Sequence, residues 1–197
     1  MTRLVLLRHG QTPFNAERRF QGQLDPDLDE VGLDQAVAAA GALAPRGPAA
    51  IVSSDLRRAT RTAAPLAAAT GLAVTNDSRL REIDLGNWQG LTRAEAEESD
   101  PVGFAAWAAG EEIRRPGGES PAEVADRMVA GLTAAVESVA PGAVLVVVSH
   151  GFAIRAGLAR LLDPPAGSTW RDIPSLANGT WVEVTVDEEG RWQRSEL

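Results

Sequence analysis

Ala143-Val144-Leu145-Val146-Val147-Val148-Ser149-His150-Gly151 is the stretch whose reading decides the fold. Five of the seven residues from 143 to 149 are Val or Leu, with no helical spacing and no polar alternation. A short apolar run of that kind is a strand buried on both faces of a sheet. It ends abruptly on His-Gly. Two earlier stretches repeat the pattern. Arg3 to Arg8 is apolar between its arginines and runs into His9-Gly10, and Ala49 to Ser53 runs into Ser54-Asp55-Leu56-Arg57-Arg58.

Helical segments separate these strands. Glu30 to Leu43 follows a plausible N-cap at Asp29, with Val31, Ala36, Val37, Ala40 and Leu43 near helical spacing. Leu56 to Thr70 reads as a helix ended by Gly71, and Leu72 to Thr75 as a short strand. Ser120-Pro121-Ala122-Glu123 is a capping box with Pro at the first helical position, opening a helix that aligns Val124, Met128, Leu132, Ala135, Val136 and Val139. A last helix spans Phe152 to Leu162. Trp181 to Val186 alternates and pairs with Trp192 across Glu188-Glu189-Gly190 as an edge hairpin. Residues 84–118, with Trp88, Trp107 and Pro116-Gly117-Gly118, are less regular and read as a partly helical insertion that caps the pocket. Strands alternating with helices predict a single domain over 1–197. It is an α/β, three-layer α/β/α sandwich around a mainly parallel sheet with an antiparallel strand at one edge.

Composition narrows the chemistry. The chain has 197 residues and 19 basic side chains, all of them Arg; Lys, Cys and Tyr are absent and there are two His. Schiff-base, thiol and thiolate-metal chemistry are excluded, and no HExxH helix is present. The formal net charge of -8 argues against nucleic acid and anionic membranes as partners. Leu4 to Leu7 is too short for a signal or membrane segment before Arg8 interrupts it, so the cytoplasm is the expected compartment.

In such folds ligands sit at the carboxyl ends of the strands. That places His9, His150 and the arginines Arg8 and Arg58 on one rim. One such histidine alone would read as a satisfied structural residue. Two at equivalent strand ends, each followed by Gly and accompanied by Arg, point to phosphate. A neutral imidazole there can attack phosphorus, and a carboxylic acid is then needed to move the protons. The helix opening at Gly151 offers free N–H groups to an anion.

Leu7-Arg8-His9-Gly10-Gln11-Thr12-Pro13-Phe14-Asn15 resembles the RHG[E/Q]TxxN signature of the histidine phosphatase superfamily, also called phosphoglycerate mutase-like. The resemblance continues in order through Gln21-Gly22, Ser53 to Ala59, Leu80-Arg81-Glu82, Gly86 to Gly90, Pro116 to Ser120 and Ser149-His150-Gly151. It implies that His9 is the phosphorylated nucleophile and Glu82 the general acid and then base. Arg8, Arg58 and a protonated His150 would hold the phosphoryl oxygens, with Asn15 a further donor and Gln21, Gly22 and Gly151 lining the phosphate pocket. No metal and no cofactor are implied.

The compact length and the stretch Glu82-Ile83-Asp84-Leu85-Gly86 favour hydrolysis over mutase chemistry. Within the phosphatases, Gln21 to Asp25, Ile51 to Ala59, Trp88 to Thr92 and Asn178 to Trp181 are similar to actinobacterial glucosyl-3-phosphoglycerate phosphatases and related broad-specificity enzymes. Those commonly carry His where this chain has Asp84, an anion that would repel a carboxylated substrate if it faced the pocket. The expected partner is a small phosphorylated metabolite, a sugar phosphate or phosphoglycerate-type ester. A phosphoryl-transferring mutase and an idle phosphate-binding module are the alternatives, and the apolar C-terminal hairpin leaves room for a homodimer. Arg57 and Arg61 are expected in solvent or in ion pairs; Arg18 and Arg19, in the loop after His9, are read either as plain surface residues or as extending the positive field of the site. Trp88, Trp107, Trp170 and Trp181 are read as core or interface side chains, with Trp107 placed in the capping insertion.

Overall fold

The computed structural model describes residues 1–162 and 169–194. Strand β1 (Thr2–Arg8) leads through the single turn α1 (Pro13–Ala16) and a long loop to α2 (Glu30–Leu43). Then come β2 (Ala50–Ser53), α3 (Arg57–Thr70) and β3 (Val74–Asn76). The insertion holds α4 (Arg93–Ser99) and α5 (Pro101–Ala109). The chain returns through α6 (Pro121–Glu137), β4 (Val144–Ser149) and α7 (Gly151–Leu161) and ends in β5 (Trp181–Val186) and β6 (Trp192–Arg194).

The strands form one six-stranded sheet in the order β3-β2-β4-β1-β5-β6. β1, β2, β3 and β4 are mutually parallel, and β5 joins β1 antiparallel. The hairpin is at the sheet's edge as the sequence predicts, with β6 outermost and β5, the strand that runs against the others, one place in from it.

Alternation along the central strands splits the core into two layers, as the pleat requires. Val5, Leu7, Val144, Val146 and Val148 pack with Ala39, Ala40 and Leu43 of α2 and Ala59, Ala63 and Leu66 of α3. Leu4, Leu6, Leu145 and Val147 pack on the other face with Met128 and Leu132 of α6 and Ile154 and Leu158 of α7. Each fully buried Leu or Val contributes about 1.5–3 kcal/mol relative to exposure. All six residues of β4 are buried, which is why its sequence reads so plainly.

The caps are those the sequence specifies. Asp29 accepts from Gly32 N, Ser120 and Glu123 close a capping box, and Gly71 ends α3 in the left-handed conformation. The face of α2 differs from the expectation. Val31 and Val37 are 50 % and 62 % exposed, whereas Gly32, Ala36, Ala39 and Ala40 are buried with Leu43. Small residues face inward because the backbones meet there: a Cβ on Gly10 would fall 2.4 Å from Gly32 O. Val139, placed on the face of the sixth helix, lies beyond its end and packs partly against the core. No described helix is long and apolar enough to cross a membrane.

Candidate active site

The register of the parallel strands brings three strand ends to one rim. Arg8 stands opposite Ser149 and Ser53 opposite Val148. The ladder continues one residue further, with His9 N donating to Ser149 O at 3.0 Å and Ser54 N to Val148 O at 2.9 Å. The His9 and His150 ring centroids are 5.1 Å apart.

A cavity of about 270 Å³ opens at this rim. Arg8, His9, Asn15, Gln21, Gly22, Arg58 and Glu82 line it, as expected from the sequence. Arg19, Phe20, Ile83, Leu85, Trp107, Arg115, Phe152 and Trp170 complete the wall. His150 and Gly151 are not in the wall; His150 is fully buried beside His9.

The tautomer of His9 follows from its one side-chain contact. Nδ1 lies 2.7 Å from Gly10 O. A carbonyl can only accept, so Nδ1 carries the proton and Nε2 keeps its lone pair. Burial first, then the charges of Arg58 and Arg8, hold the imidazole well below its ordinary pKa, so the neutral form persists at pH 7. Neighbours fix the loop around it. Gly10 N donates to the Thr62 hydroxyl, and Asn178 Nδ2 donates to His9 O at 3.0 Å and to Asn15 Oδ1 at 3.2 Å. With Oδ1 of Asn15 also accepting from Thr12 N, its amide N–H groups are left for the cavity.

Arg58 is fully buried, yet its charge is anchored. Nη1 donates to Leu24 O and Nη2 to Gly22 O, each at 2.7 Å, and Nε to His150 Nδ1 at 3.2 Å. Three of five N–H groups are thereby used, and two remain for an anion. Burial lowers its pKa to about 10, which still leaves it a cation. Gly22 is held at φ 53°, where a Cβ would fall 2.2 Å from Gln89 Oε1, so only glycine lets this carbonyl reach Arg58. Gln21 is buried and accepts the Thr12 hydroxyl at 3.0 Å. Arg8 Nη1 donates to Leu176 O at 2.5 Å.

His150 departs from the protonated state that the resemblance implies. Its Nδ1 accepts from Arg58 Nε, and its Nε2 lies 2.8 Å from Ser54 Oγ. The accepting Nδ1 makes it a neutral ring donating through Nε2. Burial, then Arg58, hold its pKa well below the ordinary value. In this arrangement it aligns Arg58 instead of adding a second positive ring.

Glu82 meets the first turn of α7. Oε1 accepts from Ala153 N at 3.0 Å and Ile83 N at 2.9 Å, and Oε2 accepts from Phe152 N at 3.1 Å. The free N–H groups that the sequence reading offers to an anion at this helix start are therefore taken by Glu82 itself. Its backbone is pinned by Arg127, which donates to the carbonyls of Arg79, Arg81 and Glu82 and forks onto both oxygens of Glu119.

Asp84 does not face the cavity. Its Oδ1 caps Gly86 N at 2.8 Å, and its own N–H donates to Glu119 Oε2. Arg57 is exposed and Arg61 pairs loosely with Asp27 at 3.5 Å, as expected. Arg18 is exposed, while Arg19 reaches the cavity wall, bonded to Glu17 and Glu95. Trp88 is core, stacked among Phe20, Phe104 and Trp107. Trp107, placed in the capping insertion, packs on Trp88 and Phe104 and lines the cavity; Trp170 also lines it, which its reading as a core or interface side chain does not include.

Sequence reasoning assigned no part to Ser54, Asn178, Arg127, Glu119 or Arg115. Ser54 and Asn178 sit inside the motif blocks, but each acts by orienting a partner distant in the chain, which no spacing reveals. Among the described residues, no group of three or more His, Asp and Glu is placed to hold a metal ion.

Residues 4–196 match the histidine phosphatase superfamily (branch 1). The glucosyl-3-phosphoglycerate phosphatase of Mycobacterium tuberculosis is 44 % identical over 197 residues, covering 96 % of this chain and 86 % of that protein. A solved mycobacterial glucosyl-3-phosphoglycerate phosphatase in complex with VO3 superposes with TM-score 0.89 and 42 % identity, covering 99 % and 98 % of the two chains. A Salmonella paratyphi C protein named "Probable phosphoglycerate mutase GpmB" is 38 % identical, covering 99 % of this chain and 89 % of its own. The chain thus belongs to the histidine phosphatase superfamily, branch 1.

Proposed function

We propose that the cavity hydrolyses a phosphate monoester in two displacements, with His9 as nucleophile and Glu82 as proton carrier. The observation that carries this is the tautomer of His9: Nδ1–H is committed to Gly10 O, so the lone pair belongs to Nε2. In the first displacement Nε2 attacks phosphorus, a P–N bond forms and the ester P–O bond breaks. A protonated Glu82 carboxyl gives its proton to the leaving oxygen. In the second, the Glu82 carboxylate takes a proton from water, the new P–O bond replaces P–N, and inorganic phosphate leaves. Arg8, Arg58 and Asn15 stabilise charge on the non-bridging oxygens throughout, which supplies electrostatically what a metal ion supplies elsewhere.

For the substrate, we favour a phosphoglycerate-type ester bearing a sugar. The names of the 44 % and 42 % identical relatives support that class. So does Asp84, whose carboxylate is turned onto Gly86 N and leaves the cavity free of the repulsion that would exclude an acid. The test is hydrolysis of glucosyl-3-phosphoglycerate, 3-phosphoglycerate, alpha-ribazole phosphate and p-nitrophenyl phosphate, ranked by kcat/KM. The glucosylated ester should lead. A faster sugar phosphate without a carboxylate would overturn the substrate class while leaving the hydrolase intact. The mutase reading, raised by the relative named for that activity, predicts 2-phosphoglycerate from 3-phosphoglycerate in the presence of 2,3-bisphosphoglycerate; release of inorganic phosphate alone is expected.

A further inference from the structure

Resting on that reading, we propose that Arg115 is the carboxylate-recognising residue of this enzyme, gripping the acid group of the substrate while the phosphate sits at His9. The reason is an unbalanced charge. Arg115 is 5 % exposed and lines the same cavity as His9 and Glu82. Its only hydrogen bond is a long one, Nη1 to Ile113 O at 3.4 Å, and its buried Nε has no acceptor. Among the described residues it forms no ion pair. Two other arginines of the wall contrast with it: Arg19 bonds two glutamates, and Arg58 gives three N–H groups to protein acceptors; Arg8, whose Nε is also without an acceptor, stands beside His9 at the phosphate end.

A buried guanidinium without a partner costs several kcal/mol, and a fold keeps such a group where an incoming anion offsets the cost. The surroundings hold the charge in place without neutralising it. The guanidinium carbon lies 5.4 Å from the centroid of buried Trp88, so an aromatic face supports the planar group. Burial, and after it the charge of Arg171, another cation, lowers the Arg115 pKa to about 10. Arg115 on the cavity wall, with Arg171 lying over the wall residue Trp170, forms a second anion locus distinct from Arg8 and Arg58. A planar fork in a dry wall suits a carboxylate, which it can bind through two parallel N–H···O bonds. Asp84, the one acid that the sequence placed in suspicion of repelling such a group, points elsewhere.

The experiment compares kcat/KM for 3-phosphoglycerate with that for glycerol 3-phosphate, which lacks the carboxylate, in wild type and in Arg115→Met. The wild type should prefer the acid by about tenfold or more, and Arg115→Met should bring the ratio close to one through KM. Arg115→Lys keeps the charge and loses the fork, and should give an intermediate ratio. It also decides the matter if Arg115→Met fails to fold by circular dichroism. An unchanged ratio in the folded variants, or a wild type that does not prefer the acid, overturns the assignment. Absence of turnover on both esters in wild type is a different result, and would instead overturn the hydrolase reading on which this rests.

Discussion

The burial that keeps His9 neutral has a measurable consequence for stability. Both histidines are held well below their ordinary pKa of 6.5, by burial first and by Arg58 next. In the unfolded chain each regains that ordinary value. As pH falls below it, the unfolded state takes up two protons that the native state refuses, so stability must fall with pH. At one unit below the ordinary value each ring costs about 1.4 kcal/mol, and the pair about 2.8 kcal/mol at about pH 5.5. Carboxylates held low by Arg, such as Asp55 beside Arg81 and Asp77 beside Arg79, also lose stabilisation in acid. Their unfolded values lie near 4, so their contribution comes later and the window above about pH 5 belongs to the histidines. Urea unfolding followed by tryptophan fluorescence, in phosphate-free buffers of fixed ionic strength from about pH 7 to about pH 5, reads the effect directly. The midpoint should move down at constant m-value, and His9→Asn or His150→Asn should each halve the slope. A stability that stays flat from about pH 7 to about pH 5.5 would refute the claim that these rings are buried neutral.

Further outcomes follow from the same contacts. Glu82→Gln should lower kcat by about 10²–10⁴-fold on alkyl phosphates, and far less on p-nitrophenyl phosphate, whose leaving group needs no proton; equal losses on both would remove Glu82 as the proton carrier. Asp84→Asn should leave the preference for 3-phosphoglycerate over glycerol 3-phosphate within about twofold, because the side chain caps Gly86 N outside the cavity; a large rise would place an anion in the substrate's path. EDTA should leave activity unchanged in steady-state assays, since arginines supply the positive charge, and activity restored only by a divalent ion would contradict this.

The fold was legible wherever burial was two-sided or a cap was chemical. β4 and β1 announce themselves because both faces are covered, and α6 because Ser120, Pro121 and Glu123 specify its start. The face of α2 misleads because its inward side is made of Gly and Ala, chosen for close approach, while its larger Val31 and Val37 are exposed. The same distinction divides the site. His9, Arg8 and Arg58 could be read because each lies at or just beyond a strand end that the pattern locates. The protonation of His150 could not, since it depends on Arg58 and Ser54 arriving at its two ring nitrogens from other elements. Nor could the grip on Glu82, which needs α7 to present Phe152 N and Ala153 N to a residue 70 positions earlier than Phe152. Arg115 is invisible in sequence for the opposite reason: its meaning lies in the partner it lacks among the described residues.

The central claim is that phosphoryl transfer passes through Nε2 of His9. Rapid mixing with a phosphate ester, an alkaline quench and peptide mass spectrometry would capture an acid-labile, base-stable phosphoryl adduct. It should sit on His9, form and decay at least as fast as turnover, and be absent from His9→Ala together with activity. Turnover without any adduct, an adduct on another residue, or an active His9→Ala enzyme would contradict it.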